Sequence, residues 1–169
     1  MRRVGLLSDT HGYLHPDISH YFESVDEIWH AGDIGSVAVI EKLQAQKPVR
    51  AVYGNVDGRD IYTEFPEDQR FVCEGVKVWM THIGGYPGKY HSRVRSLLEK
   101  DPPDLFISGH SHILKVMADR RLHLLHINPG ACGQQGWHRV KTLVRFYLDA
   151  GQIKDLEVIE LKDRRRKEQ

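Results

Sequence analysis

Five apolar segments of this chain each end in a short polar segment that contains an aspartate, an asparagine or a histidine. Short apolar runs bounded by polar turns are typical of buried β-strands. In sheets with parallel strands, ligands bind beyond the carboxyl ends of the strands, so these segments are expected to converge. They are Asp9-Thr10-His11, Gly32-Asp33, Gly54-Asn55-Val56-Asp57, Thr81-His82 and Gly109-His110-Ser111-His112. The fold must therefore bring five strand ends to one rim.

The order of the predicted elements changes along the chain. Up to residue 53, strand-like and helix-like segments alternate, which is the signature of a parallel βαβ arrangement. After residue 70 the sequence predicts a hairpin, one helix, and then strands with little helix between them. Helices are expected at 17–24, 37–46 and 90–100. We therefore predict an α/β fold with four αββα layers, in which two mixed β-sheets pack as a sandwich flanked by helices.

Composition narrows the class of protein. The chain has 169 residues, which fits one domain over 1–169, and its charged end at 164–169 is predicted to be a frayed tail. The formal net charge is +1, so bulk charge favours neither a nucleic-acid nor a membrane partner. The first apolar stretch ends at Asp9, which is too short for a signal peptide, and no run is long enough to span a membrane. Cys73 and Cys132 form no metal-binding pair, which is typical of reduced thiols and indicates a cytoplasmic location.

Two of the polar segments contain candidate ligands spaced two residues apart. On an extended backbone residues i and i+2 point the same way, so Asp9 and His11 are expected to reach one site together. The same argument applies to His110 and His112. Glycines beside the candidate ligands allow sharp turns of the backbone. These glycines are Gly32, Gly54 and Gly109.

Each polar segment alone also fits an ordinary structural role. Asp-x-His is common in turns and caps, and Gly-Asp and Gly-Asn are common turn dipeptides. A single histidine such as His82 is commonly a buried residue with satisfied hydrogen bonds. Gly-His-x-His is the most specific of the five segments. Their occurrence in this order, each at a strand end, predicts a metal site.

The ordered set D-x-H, G-D, G-N-x-D, H and G-H-x-H resembles the calcineurin-like metallophosphoesterase superfamily. The chain is similar to the short prokaryotic phosphodiesterase branch of that superfamily, the YfcE-like proteins, from Val4 to about Leu161, and its Asn128-Pro129-Gly130 turn fits the same branch. The resemblance implies a two-sheet sandwich flanked by helices, with a two-metal site at one end. It implies Asp9, His11 and His112 as ligands of the first metal, Asn55, His82 and His110 as ligands of the second, and Asp33 as the bridge between them.

The ligand types indicate the metal and the chemistry that it supports. Carboxylate, amide and imidazole ligands suit Mn²⁺, Fe, Co, Ni or Zn²⁺ better than Ca²⁺, and Mn²⁺ is our first expectation. Two divalent ions ~3.5–4 Å apart can clamp an in-line displacement at phosphorus, with a hydroxide between them as the nucleophile. Two divalent ions carry four positive charges, of which the Asp9 and Asp33 carboxylates remove two and a bridging hydroxide removes one, so the centre is left at about +1, which favours an anion. We therefore predict a metal-dependent phosphodiesterase that hydrolyses a P–O bond of a small phosphate ester.

The segment after the third strand contains the catalytic candidates. Many superfamily members have a histidine after the motif asparagine, where it can protonate the leaving group, but this chain has Val56. We therefore expect esters whose leaving group departs unaided, or another proton donor. The Asn55 amide could donate a hydrogen bond to phosphate, Asp57 could face the same site, and Arg59 could meet the substrate phosphate. Asp57 also fits a turn carboxylate that anchors a ligand, and Arg59 a surface ion pair.

The loop after His82 is a second departure from the resemblance. Many superfamily members continue with Gly-His at this point, whereas this chain reads Ile83-Gly84-Gly85 and then YPGKY. The ligand is kept, but the flanking loop is specific to this chain. His91, which follows the loop, is a weaker proton-donor candidate because a histidine at a helix start is commonly solvated.

Other classes of function stay open from the sequence. A eukaryotic retromer subunit of this superfamily serves as a scaffold with a degraded metal site, although the full ligand set here argues against that role. A phosphomonoesterase or a pyrophosphatase also fits the ligands. No basic and aromatic stripe supports a nucleic-acid partner. The sequence leaves the oligomeric state open, a homo-oligomer included.

Overall fold

The computed structural model describes residues 1–163, so the predicted tail at 164–169 lies outside the described residues. Within that part of the chain, twelve strands and four helices form three sheets and their flanking layers. The strands are β1 (Arg2–Leu7), β2 (Glu27–His30), β3 (Val49–Ala51), β4 (Asp68–Cys73), β5 (Val76–Thr81), β6 (Gly85–Tyr86), β7 (Lys89–Tyr90), β8 (Leu105–Ile107), β9 (Lys115–Asp119), β10 (Leu124–Asn128), β11 (Lys141–Asp149) and β12 (Gln152–Leu161). The helices are α1 (Ile18–Phe22), α2 (Val37–Gln44), α3 (Arg59–Tyr62) and α4 (Ser92–Lys100).

The two large sheets are both mixed, with five strands each. The first has the order β12-β11-β1-β2-β3, in which β1, β2 and β3 are parallel and β11 is antiparallel to β1. The second has the order β4-β5-β8-β10-β9, in which β5, β8 and β10 are parallel. The five strands whose polar ends stand out in the sequence are β1, β2, β3, β5 and β8. All five therefore belong to the parallel part of a sheet.

Three apolar clusters hold four layers together. The first cluster joins the first sheet to helices α1, α2 and α3 through Phe22, Ile40 and Ile61. The second lies between the two sheets, and the third packs α4 against the outer face of the second sheet. Strand β1 contributes side chains to two apolar clusters: Leu6 packs in the second and Leu7 in the first. Successive side chains of a strand point to opposite faces of the sheet, which explains this division. The predicted four-layer αββα sandwich is confirmed.

Two short elements differ from the sequence prediction. The helix expected at 90–100 begins at Ser92, because β7 pairs with β6 in a two-stranded ribbon just before it. Helix α3 is a single turn, which is too short to show an amphipathic period in the sequence. Among residues 1–163, no helix combines the length and the apolar character needed to cross a membrane.

Candidate metal centre

Two clusters of metal-ligand side chains lie at the carboxyl ends of the parallel strands. One contains Asp9, His11 and His112, and the other contains Asp33, His82 and His110. Within each cluster, one ligand atom from every residue lies within 4.8 Å of the others. Both clusters combine residues that follow strands of the first sheet with residues that follow strands of the second. The structure thus brings together six of the seven side chains for which the resemblance implies metal binding.

The first cluster is centred on one carboxylate oxygen. Asp9 Oδ1 is 3.2 Å from His112 Nε2 and 3.7 Å from His11 Nε2. The two imidazole nitrogens of this cluster are 3.3 Å apart. Three ligand atoms at these separations surround a space in which one cation could sit.

The second cluster lies directly beside the first. Asp33 Oδ2 is 3.1 Å from His82 Nε2, and it is also 3.7 Å from His11 Nε2 in the first cluster. His82 Nε2 is in turn 3.8 Å from Asp9 Oδ1. The rings of His82 and His110 meet edge to face, with centroids 5.3 Å apart. The Asp33 carboxylate therefore lies between the clusters, as the resemblance implies for a bridging ligand.

Two buried polar atoms in these clusters have no hydrogen-bond partner among the described residues. They are Asp9 Oδ1 and His82 Nε2. The other oxygen of Asp9 accepts hydrogen bonds from the Ser8 hydroxyl at 2.6 Å and from the His110 amide at 3.2 Å. His82 Nδ1 lies 2.7 Å from the Ala31 carbonyl oxygen, to which it donates, so its Nε2 carries the free lone pair. Buried polar atoms without a partner are costly, and a bound cation would satisfy both of these.

The charges of the site also fit a cation. Burial acts to raise the pKa of Asp9, but the nearby imidazoles of His11, His112 and His82 lower it well below its usual range. Burial likewise opposes ionisation of Asp33, but His82 outweighs it and lowers the pKa of Asp33. The nearby Asp9 carboxylate raises the pKa of His11. Burial acts to lower the pKa of His82, but the two carboxylates outweigh it and raise that pKa. Both carboxylates are thus anionic at neutral pH, and a metal ion binds in competition with protons on the imidazoles.

The ligands are aimed by an unusual backbone rather than by extended strand ends. Five of the seven candidate ligands have a left-handed backbone with positive φ. They are Asp9 at 55°, His11 at 47°, Asp33 at 53°, His110 at 71° and His112 at 63°. The expectation of an extended backbone is wrong for both pairs, although Asp9 and His11 still share one cluster and His110 and His112 enter the two adjoining clusters. Left-handed residues other than glycine are uncommon and cluster at functional sites.

Close packing explains the neighbouring glycines better than backbone freedom does. Of Gly32, Gly54 and Gly109, only Gly32 has a positive φ, which is 100°. A Cβ at Gly32 would lie 2.6 Å from His82 Nδ1. At Gly54 a Cβ would overlap the Asp33 carboxylate, and at Gly109 it would overlap the Ser8 hydroxyl. The expectation of sharp turns therefore holds at one position, whereas at the other two the absence of a side chain makes room for the site.

Asn55 and Arg59 lie at the rim of the centre. Asn55 is exposed, and its Oδ1 is 3.1 Å from His110 Nδ1, which places the amide beside the second cluster. Arg59 is the first residue of α3 and is exposed, and within residues 1–163 its side chain forms no ion pair. Val56 is 53% exposed, and its backbone N–H donates to Asp33 Oδ1 at 3.1 Å.

Asp57 holds two loops together through hydrogen bonds to the backbone. Its Oδ2 accepts hydrogen bonds from the Gly54 amide at 2.8 Å and the Ile34 amide at 3.2 Å. Its Oδ1 accepts one from the Gly35 amide at 2.9 Å. Both oxygens are therefore occupied by backbone N–H groups. This geometry fits the alternative role of Asp57, a turn carboxylate that fixes the loops of Asp33 and Asn55.

His30 is a buried residue that connects two loops of the site, and no sequence motif predicts this role. Its Nδ1 accepts a hydrogen bond from the Gly32 amide at 3.1 Å, and its Nε2 lies 3.0 Å from the Thr10 hydroxyl. That hydroxyl donates to the Ile34 carbonyl at 2.8 Å, so His30 Nε2 carries the proton. Burial lowers the pKa of His30 to about 3, so the ring is neutral. His30 thereby joins the loops that follow β1 and β2.

His138 is a second residue of the site that sequence reasoning missed. Its ring packs edge to face on His112, with centroids 5.3 Å apart, and its Nε2 lies 2.8 Å from the Gly133 carbonyl oxygen. It lies in a loop between strands rather than at a strand end, so the pattern that identifies the other histidines does not include it. Contact with His112 is the observation that assigns it to the site.

The comparisons with known proteins agree with this geometry. Residues 2–151 match a family model described as a calcineurin-like phosphoesterase superfamily domain. The chain belongs to the calcineurin-like phosphoesterase superfamily. A protein of Methanothermobacter thermautotrophicus named "Probable metallophosphoesterase" is 31% identical over 135 residues, which cover 76% of this chain and 76% of that protein.

Solved structures share the fold of this phosphoesterase. An archaeal phosphodiesterase is 26% identical, with a TM-score of 0.74, over 94% of this chain and 99% of that one. Vps29 of Entamoeba histolytica, solved in complex with Zn²⁺, is 16% identical, with a TM-score of 0.67, over 94% of this chain and 98% of that one. The second likeness is one of fold alone.

Family membership confirms the predicted superfamily and settles the coarse activity. The chain is a metal-dependent phosphoesterase, and the family implies divalent metal ions for which this site has matching ligand groups. The six clustered side chains are carboxylates and imidazoles, without cysteine, which suits a catalytic rather than a structural site.

Proposed function

We propose that this phosphoesterase is a phosphodiesterase with a two-metal centre, carried by one domain over residues 1–169. Asp9, His11 and His112 would hold one ion, His82, His110 and Asn55 the other, and Asp33 both. The observation that carries the proposal is the pair of adjoining clusters, with buried Asp9 Oδ1 and His82 Nε2 left without hydrogen-bond partners among the described residues. Mn²⁺ is the first candidate metal, and Fe, Co, Ni and Zn²⁺ also suit these ligands.

The side chains of the centre favour an anionic substrate. Two divalent ions, when bound, supply positive charge for the phosphate and make a water molecule nucleophilic near neutral pH. Asp9 and Asp33 are the only carboxylates in the two clusters, so they neutralise half of that charge. The Asn55 amide at the rim is neutral and can donate a hydrogen bond to a phosphate oxygen. A phosphate ester is thus drawn to the site by charge and oriented by Asn55.

Two recesses beside the centre support a diester over a monoester. A groove of about 610 Å³ includes His110 in its lining, and a smaller recess of about 130 Å³ includes Asn55 and His82. A diester has two arms to accommodate around one phosphorus, whereas a monoester has one. The name of the archaeal neighbour agrees with this choice. A scaffold role would not require the complete set of candidate metal ligands.

The test compares diester and monoester hydrolysis under one metal at a time. Metal-stripped protein is reloaded with Mn²⁺, Fe²⁺, Co²⁺, Ni²⁺ or Zn²⁺ and assayed with bis(p-nitrophenyl) phosphate and p-nitrophenyl phosphate. We expect the larger kcat/KM on the diester. A preference for the monoester would make the protein a phosphomonoesterase, and a loaded protein that is inert toward both would favour a scaffold.

Metal content tests the two-metal part of the proposal separately. We expect about two ions per chain by elemental analysis of the loaded protein. Asp33→Asn, which weakens a ligand shared by both ions, should lower that content and reduce kcat/KM by at least about 100-fold. The matched control is Asp60→Asn, at an exposed aspartate of α3. One ion per chain in a fully active protein would contradict the two-metal centre.

A further inference from the structure

A groove extends from the candidate metal centre along the YPGKY loop, residues 86–90. One side is the β6–β7 ribbon, which carries Tyr86 and Lys89, and the other includes His110 and Lys115. We call this space, of about 610 Å³, the groove. The ribbon is fixed in place because the Ser108 hydroxyl donates to the Gly85 carbonyl at 3.1 Å.

The charged residues that line the groove are all cations. They are Lys89, Arg95 and Lys115, and within the described part of the chain no aspartate or glutamate lines the groove. None of the three forms an ion pair with a carboxylate of residues 1–163 within 4.0 Å. Lys115 Nζ instead lies 3.5 Å from the centroid of the Tyr86 ring. Unpaired cations around a concave surface attract and bind an anion.

A buried histidine adds a hydrogen-bond acceptor to the groove. His126 lines it although the residue is only 1% exposed, and its Nδ1 lies 3.1 Å from the Phe106 carbonyl oxygen, to which it donates. Burial lowers the pKa of His126 to about 4, so the ring is neutral and its Nε2 is an acceptor. Nε2 has no hydrogen-bond partner among residues 1–163. A ligand that fills the groove can therefore place an N–H or O–H donor on it.

We propose that the groove binds one arm of the phosphodiester substrate, and that this arm carries a second phosphate group. Lys89 and Lys115 would bind that phosphate, Tyr86 would pack against the body of the arm, and His126 would accept a hydrogen bond from it. This inference depends on the proposed phosphodiesterase function and names the substrate class for it. The Tyr86–Lys115 contact, the unpaired charges and the unpartnered Nε2 support it independently of the metal ligands.

The first experiment uses two esters that differ only in the second phosphate. The p-nitrophenyl ester of thymidine 5′-phosphate is compared with the same ester carrying an additional 3′-phosphate. The wild type should have about a tenfold larger kcat/KM for the 3′-phosphorylated ester. In the Lys89→Gln/Lys115→Gln double variant this ratio should fall toward about one. Because the ratio is taken within one preparation, differences in folding and metal content cancel. The control is Lys100→Gln, at an exposed lysine of α4, which should keep the wild-type ratio.

The second experiment measures binding without metal. Thymidine 3′,5′-bisphosphate is titrated calorimetrically into metal-stripped protein, and the double variant should bind it about tenfold more weakly than the wild type or Lys100→Gln. Hydrolysis of both esters with equal kcat/KM in the wild type would overturn the groove proposal alone. Hydrolysis of neither ester would overturn the phosphodiesterase function, and the binding measurement would then decide the groove. Equal binding by wild type and double variant would overturn the groove proposal.

Discussion

At the level of single residues, the candidate ligands are held in place by neighbours outside the two clusters. Ser8 fixes one oxygen of Asp9, and the Ala31 carbonyl fixes the tautomer of His82. His30 ties the loops after β1 and β2 to each other through the Gly32 amide and the Thr10 hydroxyl. Left-handed backbone conformations cost about 1–3 kcal/mol each, so they persist only where such contacts determine them. These contacts within the protein therefore orient the candidate ligands in addition to any bound metal.

The buried His126 should make the folded protein sensitive to acid. Its pKa is lowered to about 4 by burial, against an ordinary value of 6.5, so the unfolded chain binds the proton more readily. The resulting stability is complete above pH 6.5 and is lost as the pH falls toward 4. Between pH 7 and pH 5 this residue alone should account for a loss of about 2 kcal/mol in the free energy of unfolding.

Urea unfolding of metal-stripped protein at pH 7 and pH 5 measures this loss. His126→Gln keeps a donor for the Phe106 carbonyl but removes the titrating ring, so it should show about 2 kcal/mol less pH dependence than the wild type. His20→Gln, at an exposed histidine of α1, is the control and should behave as the wild type. The same pH dependence in His126→Gln and wild type would contradict the assignment.

The side chain of Val56 should limit which leaving groups the enzyme can expel. The Val56 side chain is exposed next to Asn55 in the sequence and cannot donate a proton. The backbone N–H of Val56 donates a hydrogen bond to Asp33 Oδ1. Val56→His keeps that backbone contact and adds a proton donor at the rim. The rate on diphenyl phosphate, which has a poor leaving group, should rise by about 100-fold, with a smaller change on bis(p-nitrophenyl) phosphate. Val56→Gln is the control of similar size. An unchanged rate on diphenyl phosphate would show that proton donation does not limit this enzyme.

At the level of elements, the loop between β3 and α3 depends on a glycine that makes room for Asp33. A Cβ at Gly54 would overlap Asp33 Oδ1 and its backbone nitrogen, whereas at Gly58 in the same loop the nearest atom would be Asp60 Oδ1 at 3.4 Å. Gly54→Ala should therefore weaken metal binding by about 10–100-fold, because it displaces the carboxylate that we propose as the bridge between the two ions. Gly58→Ala should bind metal as the wild type does. Calorimetric metal titration of both variants checks this, and equal affinities would contradict the packing argument.

The sequence predicts the long elements and the site better than it predicts their detailed geometry. Strand ends are recognisable because apolar runs stop at polar turns, and the order of the parallel strands brings the candidate ligands to one rim. The pairing of β1 with β11 has no local signal, because it joins residues such as Val4 and Phe146 that are far apart in the chain. The ribbon and α3 are too short for a period to appear. Positive φ at Asp9 or His110 also has no sequence signature, because the surrounding contacts impose it.

At the level of the whole molecule, the candidate metal centre lies where the two sheets meet. Asp9 and His11 follow β1 of the first sheet, but their cluster partner His112 follows β8 of the second. In the other cluster, Asp33 follows β2 of the first sheet, and both histidines follow strands of the second. An ion in either cluster therefore cross-links the sheets at the rim, in addition to the apolar cluster between them.

Removal of the metal should consequently destabilise the entire sandwich rather than the loops alone. An ion at 100 times its Kd stabilises the folded chain by about 2.7 kcal/mol, which corresponds to roughly 5–10 °C in Tm for a chain of this size. Chelation should lower Tm by at least that amount, and Mn²⁺ should restore it better than Ca²⁺, which prefers oxygen ligands. In Asp33→Asn the shift should be less than half as large, because the substitution removes a carboxylate oxygen from the residue proposed to bridge the two ions. Hydrogen exchange should speed up in strands of both sheets when the metal is removed. An unchanged Tm, or faster exchange confined to one sheet, would contradict a centre that joins the two.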